Sequence, residues 1–293
     1  MTTPRRPCTS TPVIPCLATA LTLTPLLAGK ALAYDVNYQL KLNLLVAGAF
    51  QCQEPSAASG ADNACCGAAP IQPELIYNPI EQDQVSLKLG FAAGNGLNPV
   101  SPLVLAPWTA DLEYDVKDIN GHDRSHLLEV WYAHTFKRDA DSSVQITGGI
   151  IDPAFYVNEN AYANDEFTQF MNEVFVNSRN AFLPAYDWGG VLVWKHRDWT
   201  FSGVGMNVGE NDDGNYNLYV AEADYHIDTA LGEGNYRVMV SGTSKANLDP
   251  SRKNREPRSA LSLSFDQALG PVGGAFLRLG WQREDAAVDF KAV

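Results

Sequence analysis

Through most of the chain, apolar and polar residues alternate with a period of two. Successive side chains of a strand point to opposite faces, so this pattern predicts half-apolar, half-polar strands. In residues 34–50, Val36, Tyr38, Leu40, Leu42 and Leu44 share one face, and Asn37, Gln39, Lys41 and Asn43 share the other. One long strand is expected there. Residues 74–80 and 84–91 predict a hairpin, with Val85, Leu87, Leu89 and Phe91 alternating with Ser86 and Lys88. Residues 111–117, 126–136 and 143–151 predict three further strands.

Beyond residue 187 the pattern returns. Residues 188–196 and 200–208 read as strands joined by a tight turn at Arg197-Asp198. Residues 216–227 and 236–243 follow, and residues 259–266 and 275–283 form a last hairpin around Gly270-Pro271. Residues 51–70, 92–107 and 247–257 lack alternation and read as loops. The expectation is an all-β chain with about twelve antiparallel strands and no long helix.

Alternation alone also fits a soluble sandwich, whose apolar faces pack together. Two features favour a barrel with its apolar face outward. Tyr and Trp gather near predicted strand ends (Trp108, Trp188, Trp194, Trp199, Tyr216, Tyr236, Trp281), as in interfacial girdles. The predicted strands, roughly seven to seventeen residues, also exceed the usual five or six of soluble sheets.

Residues 152–187 break the alternation. This stretch holds Asp152, Glu159, Asp165 and Glu166, the amides Asn158, Asn160 and Asn164, and the aromatics Phe155, Tyr156, Tyr162, Phe167 and Phe170. A connection this long is functional or disordered in most compact domains, and its aromatic content argues for order. It is expected to fold back against the sheet as an inward loop.

The run GGIIDPAFYVNENAYANDEFTQFMNEVFVN, residues 148–177, resembles the signature of carbohydrate-selective porins of the OprB type. Its core stands here as Ala163-Asn164-Asp165-Glu166, and Phe182-Leu183-Pro184-Ala185-Tyr186 is similar to the family as well. The similarity weakens toward the end of the chain and is poor before about residue 105. The resemblance implies a sugar channel: an antiparallel transmembrane β-barrel of the outer-membrane porin type with a constriction loop. It also implies a barrel of about sixteen strands. The chain ends on Ala286-Ala287-Val288-Asp289-Phe290-Lys291-Ala292-Val293, where a new strand is expected to start. The sequence is therefore expected to be cut short by about four strands.

Charge and targeting sharpen this picture. Residues 1–33 read as a signal peptide: Arg5 and Arg6, a short apolar run, then Ala31-Leu32-Ala33. Residues 34–293 form the expected barrel domain, in the bacterial outer membrane. The chain has 293 residues and a formal net charge of −13. Without Arg5, Arg6 and Lys30 it has 18 basic and 34 acidic residues, or −16, which speaks against nucleic acid as a partner. Cys52 paired with Cys65 or Cys66 would staple one short loop, as an exported compartment permits.

A sugar channel needs polar groups for hydroxyls and aromatic faces for sugar rings. The candidates on the loop are Asn158, Asn160, Asn164, Asp165 and Glu166. On the wall they are Glu113, Asp115, Glu129, Trp131, Glu222, Asp224, Arg237 and Arg278. A transverse field between Glu113 and Arg237 is one expectation. Gly-x-Ser-x-Gly, His-Glu-x-x-His and a phosphate loop are absent from the sequence. No enzyme activity, cofactor or metal is therefore expected. The expected partners are small sugars as permeating solutes and outer-membrane lipid, with room for a homo-oligomer. The alternative is a periplasmic all-β protein that binds or hydrolyses carbohydrate, since paired carboxylates are not legible from spacing.

Overall fold

The computed structural model describes residues 34–37, 39–53, 64–94, 126–170, 173–178, 180–210, 214–248 and 254–283. The expected signal peptide, and Trp108, Glu113 and Asp115, lie outside these residues.

The described residues form one antiparallel sheet of fourteen strands. They are β1 (Tyr34–Asn37), β2 (Leu40–Val46), β3 (Ala49–Gln53), β4 (Ala64–Tyr77), β5 (Asp83–Leu89), β6 (Phe91–Gly94) and β7 (Leu127–Asp139). After them come β8 (Ser142–Ile151), β9 (Asp187–His196), β10 (Trp199–Glu210), β11 (Gly214–Thr229), β12 (Gly232–Leu248), β13 (Arg255–Ala268) and β14 (Gly274–Gln282). The order is β1-β2-β4-β5-β7-β8-β9-β10-β11-β12-β13-β14, with β3 and β6 both paired to β4. Sequential neighbours pair because short turns join them, such as Arg197-Asp198, where Arg197 takes a φ of 53°.

Four expectations change, one of them at residues 92–94, which were expected in a loop and instead belong to β6 and pair with β4. The single strand over 34–50 is broken into β1, β2 and β3, with register irregular between Asp35 and Asn37. Residues 64–70 are not a loop. They start β4, where Cys52 and Cys65 sit directly opposite each other and are disulfide-bonded. Small residues such as Gly67 and Ala68 weaken alternation without preventing pairing. The ends of the 247–257 stretch are likewise in the ladder, as Asn247 faces Glu256 and Leu248 faces Arg255.

The two faces of the sheet differ in kind. Outward positions carry large exposed apolar side chains: Leu192 at 48%, Trp194 at 43%, Val240 at 51% and Leu277 at 50%. Inward positions carry Glu129, Glu222, Arg237 and Asp266, all buried. They are buried because residues 152–186 lie across the inward face. This loop begins in a 3-10 turn (Pro153–Phe155), opened by the Asp152 carboxylate accepting from the Ala154 N–H at 2.9 Å. Later it makes one helical turn (Glu173–Val176).

The dry core lies between loop and sheet. Ile151, Val157 and Ala181 pack on Val191, Val204, Met206, Leu218, Val220 and Met239. The inward face of β9–β11 is thus apolar where the loop covers it. Each such side chain, when fully buried, contributes about 1.5–3 kcal/mol.

The sheet also curls. Phe167 and Ala49 pack against Ala47, between β2 and β3. Phe170, in the same stretch of loop, lies 5.8 Å from Phe276 on β14. Opposite ends of the strand order therefore approach one short segment. Among the described residues, β1 and β14 do not pair with each other, so the sheet is open.

Candidate functional site

The loop divides the interior into two regions. On one side it is fastened to β10–β14. On the other it stands off β2, β4 and β5 and leaves a cleft of about 860 Å³.

The fastened side is built from one register row. Thr200, Asp224, Arg237, Ser264 and Arg278 face one another in sequence across five strands. Arg237 donates to Asp224 at 3.1 Å through Nε and to Asp266 through Nη1. A buried guanidinium with carboxylates on both sides is a compensated charge group, and its loss would leave the acids unpaired. The loop docks onto this row and onto Glu222 and Asp266 beside it. The Asn158 N–H donates to Glu222 at 2.7 Å, and the Ala161 N–H donates to Asp266 at 3.2 Å. Asn160 Nδ2 donates to Ser264 Oγ at 3.2 Å, while the Ser264 hydroxyl donates to the Glu159 carbonyl at 2.9 Å. Asn158 holds a left-handed φ of 63° and is 1% exposed. Asn tolerates that conformation better than most side chains, which explains an amide there.

The open side has its own register row: Asn43, Glu74, Lys88 and Glu129, on β2, β4, β5 and β7. Asn43 Nδ2 donates to Glu74 at 2.8 Å, and Lys88 Nζ donates to Glu129 at 3.0 Å. The Trp131 indole donates to the other Glu129 oxygen at 3.1 Å. Lys88 also sits 4.8 Å from the Phe155 ring centre and 5.7 Å from that of Tyr186. Those rings are near the two ends of the loop, so one ammonium holds both by cation–π attraction.

The cleft is lined from the wall by Asn43, Gln72, Glu74 and Lys88, and from the loop by Asp152, Asn160, Asn164, Asp165, Glu166 and Gln169. Phe155, Phe167 and Tyr186 supply ring surfaces in the same space. Amides, carboxylates and aromatic faces thus converge around one polar opening. Such a surface can exchange hydrogen bonds with hydroxyls and stack on the apolar side of a sugar ring. Asp152 lies deep inside the curl and is half-buried. Desolvation and the nearby Glu129 charge push its carboxyl up to about 6, opposed by Lys88. Glu159 is raised as well, first by desolvation, with Arg237 pulling the other way.

The structure separates the sequence candidates into two sets. Asn160, Asn164, Asp165 and Glu166 line the cleft. Asn158, Glu222, Asp224, Arg237 and Arg278 belong to the fastening of loop to wall. Glu129 and Trp131 stand behind Lys88, inside the open row. The pairing of Glu113 with Arg237 falls partly outside the described residues. Asn43, Gln72, Glu74 and Lys88 were not among the candidates. Their signal was present as polar positions alternating with apolar ones in the first strands, opposite the loop that was already singled out.

No family model matches the chain, and no solved structure matches it. It is similar to an uncharacterized protein of Aquifex aeolicus (strain VF5), 35% identical over 130 residues. That match spans 43% of this chain and about two fifths of the relative's length.

Proposed function

We propose that the chain is an outer-membrane channel through which small carbohydrates diffuse into the periplasm. In this reading the sheet closes into a transmembrane barrel, β1 meeting β14 directly or through further strands, and residues 152–186 form its constriction. The carrying observation is the inversion of the two faces. Outside the apolar patch that the loop covers on β9–β12, acids, bases and amides point into the curl, while large apolar side chains point out. A soluble sheet has the reverse arrangement, and an exposed apolar face this wide marks a membrane or partner surface.

The outward face supports the bilayer in detail. At the short-turn end, rings cluster: Trp194 lies 5.3 Å from Phe201, Trp199 4.8 Å from Tyr225, and Tyr236 5.7 Å from Phe265. Aliphatic residues such as Leu192, Val238 and Val240 follow along the strands. Near the far end comes Tyr219, then a row in which Trp188 stands opposite Asn207 and Asn207 joins the amides of Asn217 and Asn215, each at 2.9 Å. Aromatic, aliphatic, aromatic and polar bands in that order match the layers of a membrane. Strands of nine or more residues, such as β9 to β14, suffice to span one when tilted.

The curl supports closure, since a sheet edge left open in hydrocarbon has unpaired backbone groups. The cleft supports carbohydrate as the solute through its mixture of amides, carboxylates and rings. The test is swelling of liposomes containing the purified chain. Monosaccharides are expected to enter faster than into protein-free liposomes, and larger oligosaccharides no faster. Equal rates with and without protein would refute the channel. Release of the protein by osmotic shock without detergent would favour the periplasmic alternative.

A further inference from the structure

Arg278 differs from the other inward charges. Lys88 pairs with Glu129 and Arg237 with Asp224 and Asp266, so each joins one strand of the wall to another. Arg278, on β14, is instead directed at the backbone of the loop. Its Nη1 donates to the carbonyls of Ala163 and, at 2.8 Å, Phe175. Its Nη2 donates to the carbonyl of Asn158 at 2.8 Å. Asn158 and Ala163 lie on the outgoing limb of the loop, and Phe175 lies on the returning limb. One planar cation with forked donors therefore ties the two limbs to each other and to the wall.

The rest of β14 is shaped for the same contact. Its inward positions are Gly274, Phe276, Arg278, Gly280 and Gln282, as the register with β13 requires. A Cβ on Gly274 would collide with the Tyr162 ring, and one on Gly280 would lie 2.8 Å from Asn180 Oδ1. Between these two bare positions, Phe276 meets Phe170. The strand thus offers two gaps, one ring contact and one guanidinium.

We propose that Arg278 is a positioning residue that fixes how far the loop reaches across the lumen, and thereby sets the largest solute the channel passes. The proposal rests on the channel reading, but its structural half is tested separately. Arg278→Ala removes all three donors. Arg278→Lys keeps the charge and loses the fork.

Hydrogen exchange is read at the amides of Asn158 and Ala161, together with liposome swelling by a monosaccharide and a trisaccharide. Charge-assisted hydrogen bonds of this kind correspond to about ten- to hundred-fold in a local opening equilibrium. Arg278→Ala is expected to lose protection at both amides by that factor and to admit the trisaccharide, while monosaccharide entry changes little. Arg278→Lys is expected to fall between it and the parent, and decides the matter should the alanine variant fail to fold. Unchanged protection in both variants would overturn the proposal. Lost protection with trisaccharide still excluded would overturn the claim that this arginine sets the bore. A parent chain that admits no sugar would refute the channel itself, while the exchange result would still report on the staple.

Discussion

The two halves of the interior use similar chemistry to opposite ends. On β10–β14, inward charges are matched to one another and to the loop, and the space between wall and loop is closed. On β2, β4, β5 and β7, a comparable row, Asn43-Glu74-Lys88-Glu129, faces a cleft. The difference lies in what the opposing segment brings. Toward β11–β14 the loop presents backbone N–H and C=O groups, which buried charges must satisfy. Toward β2–β5 it presents side chains of Asp165, Glu166 and Phe167, which leave room for water and a solute. A charged wall is therefore consumed by the fold where backbone meets it and left facing open space where side chains meet it.

The comparison is broken most strongly at Arg237. Arg237→Met leaves Asp224 and Asp266 buried without their cation, and is expected to destabilise the fold by about 3–5 kcal/mol. Urea unfolding in detergent reads this directly. A change below 1 kcal/mol would mean that the fastened half is not held by this pair. Gly280→Val should cost less, about 1–3 kcal/mol, because the new side chain meets Asn180 in a packed contact. The same unfolding assay checks it.

The open half should respond the other way. Glu74→Gln keeps the shape of the side chain and its contacts with Asn43 and Ser86 within reach. Its stability cost is expected to stay below about 1 kcal/mol. The reversal potential in a salt gradient should nevertheless move toward anions. A large loss of stability with unmoved selectivity would reverse the assignment of the two halves.

The smallest effect is one of pH. Asp152 lines the cleft, and its carboxyl titrates at about 6 rather than its ordinary 3.8. A raised pKa in the folded state means that the proton favours folding. This contribution is complete below about pH 4, shrinks as pH rises, and is lost above about 6. Cation preference should grow over the same range as the carboxylate forms. Asp152→Asn should flatten both dependences, and a mutant that keeps the wild-type pH profile would exclude this group as their source.

The fold was legible where alternation is unbroken. Outside the 247–257 stretch, residues 188–283 read correctly as strands because the period of two persists there, with outward Leu, Val and Trp set against inward residues that are polar where the loop is fastened and apolar where it packs. Residues 51–53 and 64–70 did not, because Ala, Gly and Pro give no face to read, and a cross-strand disulfide with backbone pairing accompanies the strands there. The loop declared itself by composition, and its cleft-lining residues Asn164, Asp165 and Glu166 were among those it offered. Composition could not say which of its amides would be consumed. Asn158 is fully buried because Glu222 and Arg278 take its backbone groups, a relation between residues far apart in sequence. The contribution of Glu74 and Lys88 was hidden for the same reason, since only the folded loop reveals which polar wall positions it leaves uncovered.

The central claim is that the outward face of the sheet meets lipid. Spin labels placed singly at Val238, Met239, Val240 and Ser241, in a cysteine-free background reconstituted in bilayers, test it most directly. The account predicts that labels at 238 and 240 are reached by oxygen and shielded from a water-soluble nickel reagent, while 239 and 241 are shielded from oxygen. Labels at 238 and 240 that are reached by the nickel reagent, or by neither, would place that face in water or in a dry protein core and would contradict it.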